Sequence, residues 1–344
     1  MNERAIETAD GAGGIRSIEL VENLIKSKVP QWLWTALNGG GLDFLDDGAF
    51  ISVGGGYIVL TSDTYTVKPI FFPGGDIGHL AASGVINDLV VSGARPIAFM
   101  DNIVVEEGFP LEDLEKIVSS MVRILVENNI SLIGGDFKVM PKGAVDKIVI
   151  SGFGIGYTTK RPIVDKVKPG DYIVVSNYLA EHGSTILAAQ LGMLDSAVGL
   201  RSDSKPLTNL LHVIEKYRDW INAARDPTRG GLTGTIYEWL RGTGLAAEID
   251  LSSIPLREEV RGFLEMLGVD PLTVASEGVA VFSVDSSVVD DFVKDLERAG
   301  EKPAIVGRIF EPDHPSMREK VLGKTEIGGL TVISPRVLNL PRIC

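Results

Sequence analysis

A chain of 344 residues, 44% hydrophobic and 23% charged, exceeds one comfortable core, so the composition predicts two folded domains and excludes a disordered or fibrous chain. Thirty-three Lys and Arg against 46 Asp and Glu leave a formal charge of -13, which argues against a nucleic-acid partner and calls for a divalent cation if phosphorylated ligands are handled. No apolar run approaches the roughly 20 residues of a membrane span. The start, MNERAIETADGAGG, lacks the apolar stretch of a secretory signal. The only cysteine is the last residue, Cys344, so neither an intrachain disulfide nor an all-cysteine metal site is available, and a reducing, cytoplasmic compartment fits.

Residues 1–45 form a Gly-rich opening followed by a mixed segment with Trp32 and Trp34. Tyr57–Val67, rich in β-branched residues, predicts a strand, and the small-residue run Ile77–Val91 a closely packed helix. Pro110 opens an amphipathic helix with apolar positions from Leu111 to Leu125 and acidic residues in its first turn. Strands follow at Ser131–Ile133, before a Gly-Gly turn, and at Lys147–Tyr157. The Pro-Gly turn KVKPGD, residues 166–171, predicts the boundary between a domain at 46–165 and one at 166–333.

Beyond it the pattern gives a strand at Tyr172–Val175, a helix from about His182 and another at about Leu207–Tyr217. A Gly-rich turn at Asp226–Gly231 precedes a helix carrying Ile236, Trp239 and Leu240; strands at Val279–Val284 and Ala304–Phe310 come last. Strands and helices mix in both halves, so the fold class is α/β in the broad sense (α+β) in two domains. Residues 334–344, SPRVLNLPRIC, read as an extended tail able to carry its tip about 30 Å, into a cleft or to a partner.

Four sets of residues suggest chemistry. Asp46 and Asp47 in a loop, Asp63 in a strand, Asn87 and Asp88 on a helix and Asp136 after Gly134-Gly135 supply hard oxygen ligands that suit Mg²⁺ and hence a nucleoside triphosphate. Asp63 and Asp88 stand in apolar elements, where an uncompensated carboxylate is costly; the plainer reading of each acid is a cap, a turn or a solvated side chain. The turns IGGDFK (133–138) and DPTRGG (226–231) could bring backbone N–H groups to phosphate, with Lys138 and Arg229 adding charge, though a glycine pair is most often only a turn. Glu277, in the apolar stretch VASEGVAVF, predicts a raised pKa and a group able to take up protons; otherwise it is a strand-end residue facing water. Cys344 on its Pro-flanked tail has the mobility of a carrier thiol, and His182 is expected to be structural.

These motifs together carry a resemblance. The run 61–96, the GGDFKV turn, AEHGSTILAA (180–189), RDPTRGGL (225–232), SEG (276–278) and the terminal PRIC resemble the HypE family of nickel–iron hydrogenase maturation proteins. That family belongs to the superfamily of aminoimidazole ribonucleotide synthetase, selenophosphate synthetase and thiamine-phosphate kinase. The resemblance implies a two-domain fold of that type, paired through its N-terminal domains into a homodimer. It implies that Mg-ATP lies among Asp47, Asp63, Asp88 and Asp136, with Asn87, Gly134, Gly135, Asp226, Arg229, Gly230 and Gly231 lining the nucleotide site. Catalysis would then fall to Cys344, Lys138 and Glu277. A carbamoyltransferase, HypF, would load a carbamoyl group onto Cys344. ATP-dependent dehydration would turn it into a thiocyanate, and the HypC–HypD complex would receive the cyano group for iron.

Two positions depart from the family pattern: Asp10 stands where the opening motif has a histidine, and Val279 where Glu-Gly is followed by lysine. Two other readings stay open on the residues alone. One is a small-molecule ligase or kinase of the same superfamily, which needs no terminal cysteine. The other is a non-enzymatic, ATP-gated protein whose tail presents a thiol.

Overall fold

The computed structural model describes residues 5–11, 14–325, 327–334 and 343–344; the predicted tail, apart from its first residue and its tip, lies outside them, as do Ala12 and Gly13 of the opening motif. The first half comprises α1 (Gly14–Leu24), β1 (Ala49–Val53), β2 (Gly56–Tyr65), a small hairpin of β3 (Phe71–Phe72) and β4 (Gly75–Asp76), α2 (Ile77–Val91), β5 (Arg95–Glu106), α3 (Leu111–Glu127), β6 (Ser131–Met140) and β7 (Ile148–Thr158). Its five-stranded sheet has the order β1-β2-β7-β5-β6. All pairs are antiparallel except β5–β6, which α3 connects as a crossover.

The predicted small-residue helix is α2, with the same bounds. It is buried along almost its whole length, so it needs close packing rather than a polar face, and Asp76 caps it by accepting from the amides of Gly78 and His79. α2 covers one face of the sheet. The opposite face leaves Leu60, Met100, Phe153 and Tyr157 exposed, and edge strand β6 adds Leu132, Ile133, Phe137 and Val139.

One predicted turn is a strand. Gly134 and Gly135 sit inside β6, which runs on to Met140, and the β5–β6 register shifts between Phe99 and Met100. A Cβ on Gly135 would lie 1.9 Å from Asp101 Oδ1, so this glycine allows close strand packing at a bulge. No helix follows it, so the helix end required for that half of the phosphate reading is missing.

The second half contains β8 (Tyr172–Val175), α4 (Glu181–Gln190), α5 (Leu211–Lys216), β9 (Ile221–Arg225), α6 (Gly231–Leu240), β10 (Ala246–Asp250), α7 (Glu258–Leu267), β11 (Val281–Val284), α8 (Val289–Arg298), β12 (Ala304–Phe310), β13 (Val321–Lys324) and β14 (Leu330–Ile333). They build a seven-stranded sheet, β14-β13-β10-β12-β8-β11-β9. The predicted helix at 207–217 is a 3-10 turn, Thr208–Leu210, leading into α5.

The halves share an apolar core, in which Leu80, Val85 and Ile86 of α2 belong to the same cluster as Val174, Ile186 and Phe282. Asn87 fastens that contact. Fully buried, its amide donates to the carbonyls of Lys205 (3.1 Å) and Glu277 (2.9 Å) and accepts from the amide of Leu207 (2.8 Å). The sequence reading placed Asn87 at the nucleotide; here its hydrogen-bonding groups hold one half to the other. Asn87→Ala removes three hydrogen bonds inside a dry contact and is expected to lower unfolding stability by roughly 3 kcal/mol, read from urea denaturation. An unchanged midpoint would refute the clamp.

Candidate active site

Where the two halves meet, three carboxylates converge. Asp47 stands in the loop before β1, Asp88 on α2, and Asp226 directly after β9 in the second half. One oxygen from each lies within 4.8 Å of the others. The Thr61 hydroxyl donates to Asp88 at 2.6 Å. Asp47 Oδ2 is buried without any hydrogen-bond partner. Burial, then mutual repulsion, pushes Asp47 and Asp88 well above the ordinary carboxylate range, and Asp226 up to about 7. Three oxygen donors with one orphaned atom are the donor set a hard divalent cation requires, so these residues fit Mg²⁺.

Arg225, the last residue of β9, supplies the cation beside them. Its guanidinium pairs with Asp165 (2.6 Å), Glu238 (2.6 Å), Asp47 (3.2 Å) and Asp46 (3.6 Å), and donates to the carbonyl of Leu45. Burial opposes its charge, but these acids hold it firmly protonated. Asp165, in the segment joining the halves, is raised to about 7 by burial. The turn after Arg225 ends in glycines at φ 84° and 58°, which start α6. A Cβ on Gly231 would lie 2.7 Å from the carbonyls of Leu272 and Val274, so only glycine fits there.

The chain's tip lies beside this cluster. Cys344 is partly buried. Burial pushes its thiol well up; Glu277 adds to that, and Arg229 opposes it. Glu277 is 1% exposed rather than facing water, and its Oε1 lacks a partner. Burial, with Asp226, Asp203 and Asp63 nearby, raises it well above its ordinary value. Arg229 holds its proton more tightly because of Cys344, then Asp63.

His182, at the start of α4, holds the tip. Its Nε2 donates to the carbonyl of Ile343 at 2.8 Å, and its Nδ1 takes the Ser202 hydroxyl at 2.7 Å. A carbonyl can only accept, which fixes the proton on Nε2. Burial pushes this histidine down to about 4, so it is neutral. Asp203 next to Ser202 accepts from the amides of His182, Glu277 and Gly278, and is raised to about 7 by burial.

The structure thus gathers Asp47, Asp63, Asp88, Asp226, Arg229, Gly230, Gly231, Glu277 and Cys344. It does not bring Asp136, Lys138, Gly134 and Gly135 to them within one chain. Asp63 pairs with Gly152, Gly152 with Asp101, and Asp136 sits opposite Asn102, so three strand spacings of ~4.8 Å, about 14 Å, separate the acids. Asp136 and Lys138 are exposed and pair with each other at 2.8 Å. Within the chain Asp226 takes the place expected of Asp136. Arg225, Asp165, Asp203 and the holding role of His182 went unread: Arg225 and Asp165 look like ordinary loop and strand-end charges until the fold pairs them.

Family models place the chain. The N-terminal domain of AIR synthase related protein matches residues 45–158, and its C-terminal domain 168–320. A hydrogenase expression/formation protein of Methanocaldococcus jannaschii is 40% identical over 339 residues, 97% of this chain and 98% of its own. Carbamoyl dehydratase HypE of Azotobacter vinelandii is 34% identical over 346 residues, 99% of this chain and 97% of its own. This chain belongs to the HypE family. As a HypE carbamoyl dehydratase it is an enzyme of hydrogenase maturation, and the ligase or kinase and non-enzymatic readings give way. Among solved structures, HypE in a HypE–HypF complex matches with TM-score 0.82 and 31% identity (92% of this chain, 99% of that one). HypE in complex with ATP matches with TM-score 0.79 and 32% identity (99% and 100%). Among the described residues no helix is long and apolar enough to cross a membrane.

The raised carboxyls set a pH dependence. Asp165, Asp203 and Asp226 have folded pKa values of about 7, above their unfolded values, so the stability they lend is complete below about pH 4 and is lost as pH rises through 7. Metal-free protein is expected to melt at higher temperature at about pH 5.5 than at about pH 8, and Mg²⁺ to narrow the gap. Thermal melts in chelator and in Mg²⁺ test this, and a flat profile would contradict it.

Proposed function

We propose that this enzyme dehydrates a carbamoyl group carried on its own Cys344, using ATP, and leaves a thiocyanate on that sulfur. The observation that carries the reading is the position of Cys344 beside Glu277 and Arg229, next to the three-carboxylate cluster. The γ-phosphoryl of ATP passes to the carboxamide oxygen; the carbon–oxygen bond then breaks, phosphate leaves with that oxygen, and nitrogen gives up two protons as the carbon–nitrogen triple bond forms. Glu277, whose surroundings raise its affinity for protons, takes a nitrogen proton. Arg229 faces the developing phosphate charge. Asp47, Asp88 and Asp226 would hold Mg²⁺, which supplies charge neutralisation at the phosphoryl group. His182 keeps Cys344 in place through the Ile343 carbonyl.

The partner readings rest on the relatives and on one surface. The HypE–HypF structure supports HypF as the donor of the carbamoyl group, and the ATP complex supports ATP as the phosphoryl donor. Transfer onward to HypC–HypD, and a cytoplasmic setting, follow from the resemblance. The open sheet face and the β6 edge, with exposed Leu60, Met100, Phe137 and Phe153, support pairing of two copies into a homodimer. In that pair Asp136 and Lys138 would serve ATP from a different chain than in the sequence reading.

With Cys344 carbamoylated, mass spectrometry of the C-terminal peptide after addition of Mg-ATP is expected to show loss of one water. Cys344→Ser should show no such product, and Glu277→Gln should keep ATP binding but slow the loss by roughly 10²–10⁴-fold. Full activity of either variant would end the proposal. His182→Leu should slow dehydration about tenfold while leaving loading of Cys344 unchanged, because only the seating of the tip is disturbed. Equal impairment of both steps would show instead that the fold had suffered.

A further inference from the structure

Away from the carboxylates, the joining segment carries charge of the opposite sign. Lys160, Arg161, Lys166, Lys168 and Arg218 line a cavity of about 570 Å³. A second cavity of about 290 Å³ shares Lys160 and Arg218 with it and adds Arg95 and Tyr157. Against these six cations the two cavities hold two acids, Asp219 and Glu215. In a chain of net charge -13, such a concentration calls for a reason.

The cations are poorly compensated by protein. Lys160 reaches Asp219 only at 3.8 Å, on the surface. Lys166 lies over the Phe44 ring and Arg161 over Phe50, both at 5.5 Å, so aromatic faces rather than carboxylates meet them. Arg218 is 7% exposed, yet no carboxylate pairs with it among the described residues. Its Nε and Nη2 both donate to the carbonyl of Arg161, at 3.0 and 2.6 Å. Its Nη1, packed against Gly93, has no hydrogen-bond partner among the described residues. A buried guanidinium with a free donor, lining both cavities, is the arrangement that an incoming anion completes.

We propose that this cleft, between the 160–168 segment and the α5–β9 connection, is a second anion site that takes a small phosphate-bearing molecule with two or more negative charges. A guanidinium with a free Nη1 donor, flanked by lysines, matches phosphate oxygens, and the volume suits a ligand up to nucleotide size. A long polyanion is disfavoured, since a chain of net charge -13 would repel it. The site is distinct from the carboxylate cluster. Lys166 lines the cavity, whereas its neighbour Asp165 pairs with Arg225 beside Asp47.

Calorimetric titration of inorganic pyrophosphate into the full chain, in chelator, tests the assignment; without divalent cations the carboxylate cluster repels the probe. One binding site is expected. The double variant Lys166→Glu and Lys168→Glu, at exposed positions that leave the core intact, should weaken it at least about tenfold, and Arg218→Lys should weaken it by losing the free Nη1 donor. Asp88→Asn should bind as the wild type does, and citrate more weakly than pyrophosphate. Absence of binding, equal affinity in the double variant, or loss on Asp88→Asn would each overturn the site; equal binding of citrate would overturn its phosphate character.

Discussion

Packing negative charge into a place that water hardly reaches is the constraint on which this molecule turns. Asp46, Asp47, Asp165 and Glu238 share one guanidinium, Arg225, and among the described residues Asp88 and Asp226 lie next to that group without an ion pair of their own. Each carboxylate taken from water loses hydration that one arginine cannot replace for six. The shortfall appears as raised proton affinities and as an orphaned oxygen on Asp47. It also lies on the seam between the halves, because Asp226 belongs to one and Asp47 and Asp88 to the other. Whatever neutralises the cluster therefore also favours closure of the seam, so that occupancy and domain contact are thermodynamically linked.

The same economy of charge governs the chain's tip. The neutral His182 grips the carbonyl of Ile343, and the Thr66 hydroxyl contacts that of Cys344 at 3.4 Å. Neither contact involves the sulfur. A thiol, a thiocarboxamide and a thiocyanate differ only beyond Cβ, so a main-chain grip tolerates every state of the reacting group. A grip on the sulfur would have to be remade at each step. Placing Glu277, itself short of a partner, beside that sulfur keeps an ionisable group available without a competing hydrogen bond on its Oε1.

Local pattern predicted the elements that carry strong local signals. The bounds of α2, β8 and β12 match the reading because small-residue helices and β-branched runs are decided by near neighbours. β5 went unread, since a strand that opens with Arg-Pro and carries Asp101 and Asn102 shows no clean alternation. The Gly134-Gly135 pair misled because a glycine required for close strand approach looks the same in sequence as one required for a turn. In the site, Cys344, Glu277, Asp47, Asp63, Asp88 and Arg229 were legible as charged or reactive residues in unusual settings. Arg225, Asp165, Asp203 and the grip of His182 were not, because their meaning lies in partners 60 to 161 residues away in sequence for Asp165 and His182.

That distance also bears on Asp136 and Lys138. A sheet whose covered face is packed by α2 leaves Leu60, Met100, Phe153 and Tyr157 exposed on its other face. Its edge strand β6 is exposed along nearly all its length and lacks the bulk of charge that usually keeps such edges apart. Asp136 and Lys138 are its charged residues, and they neutralise each other at 2.8 Å, leaving the edge without net repulsion toward another copy of itself. Covering the open face with that copy would bury apolar surface on both sides and bring this ion pair to the seam. In such a pair of chains this ion pair, three strands from Asp63 of its own sheet, would stand where geometry within one chain does not put it.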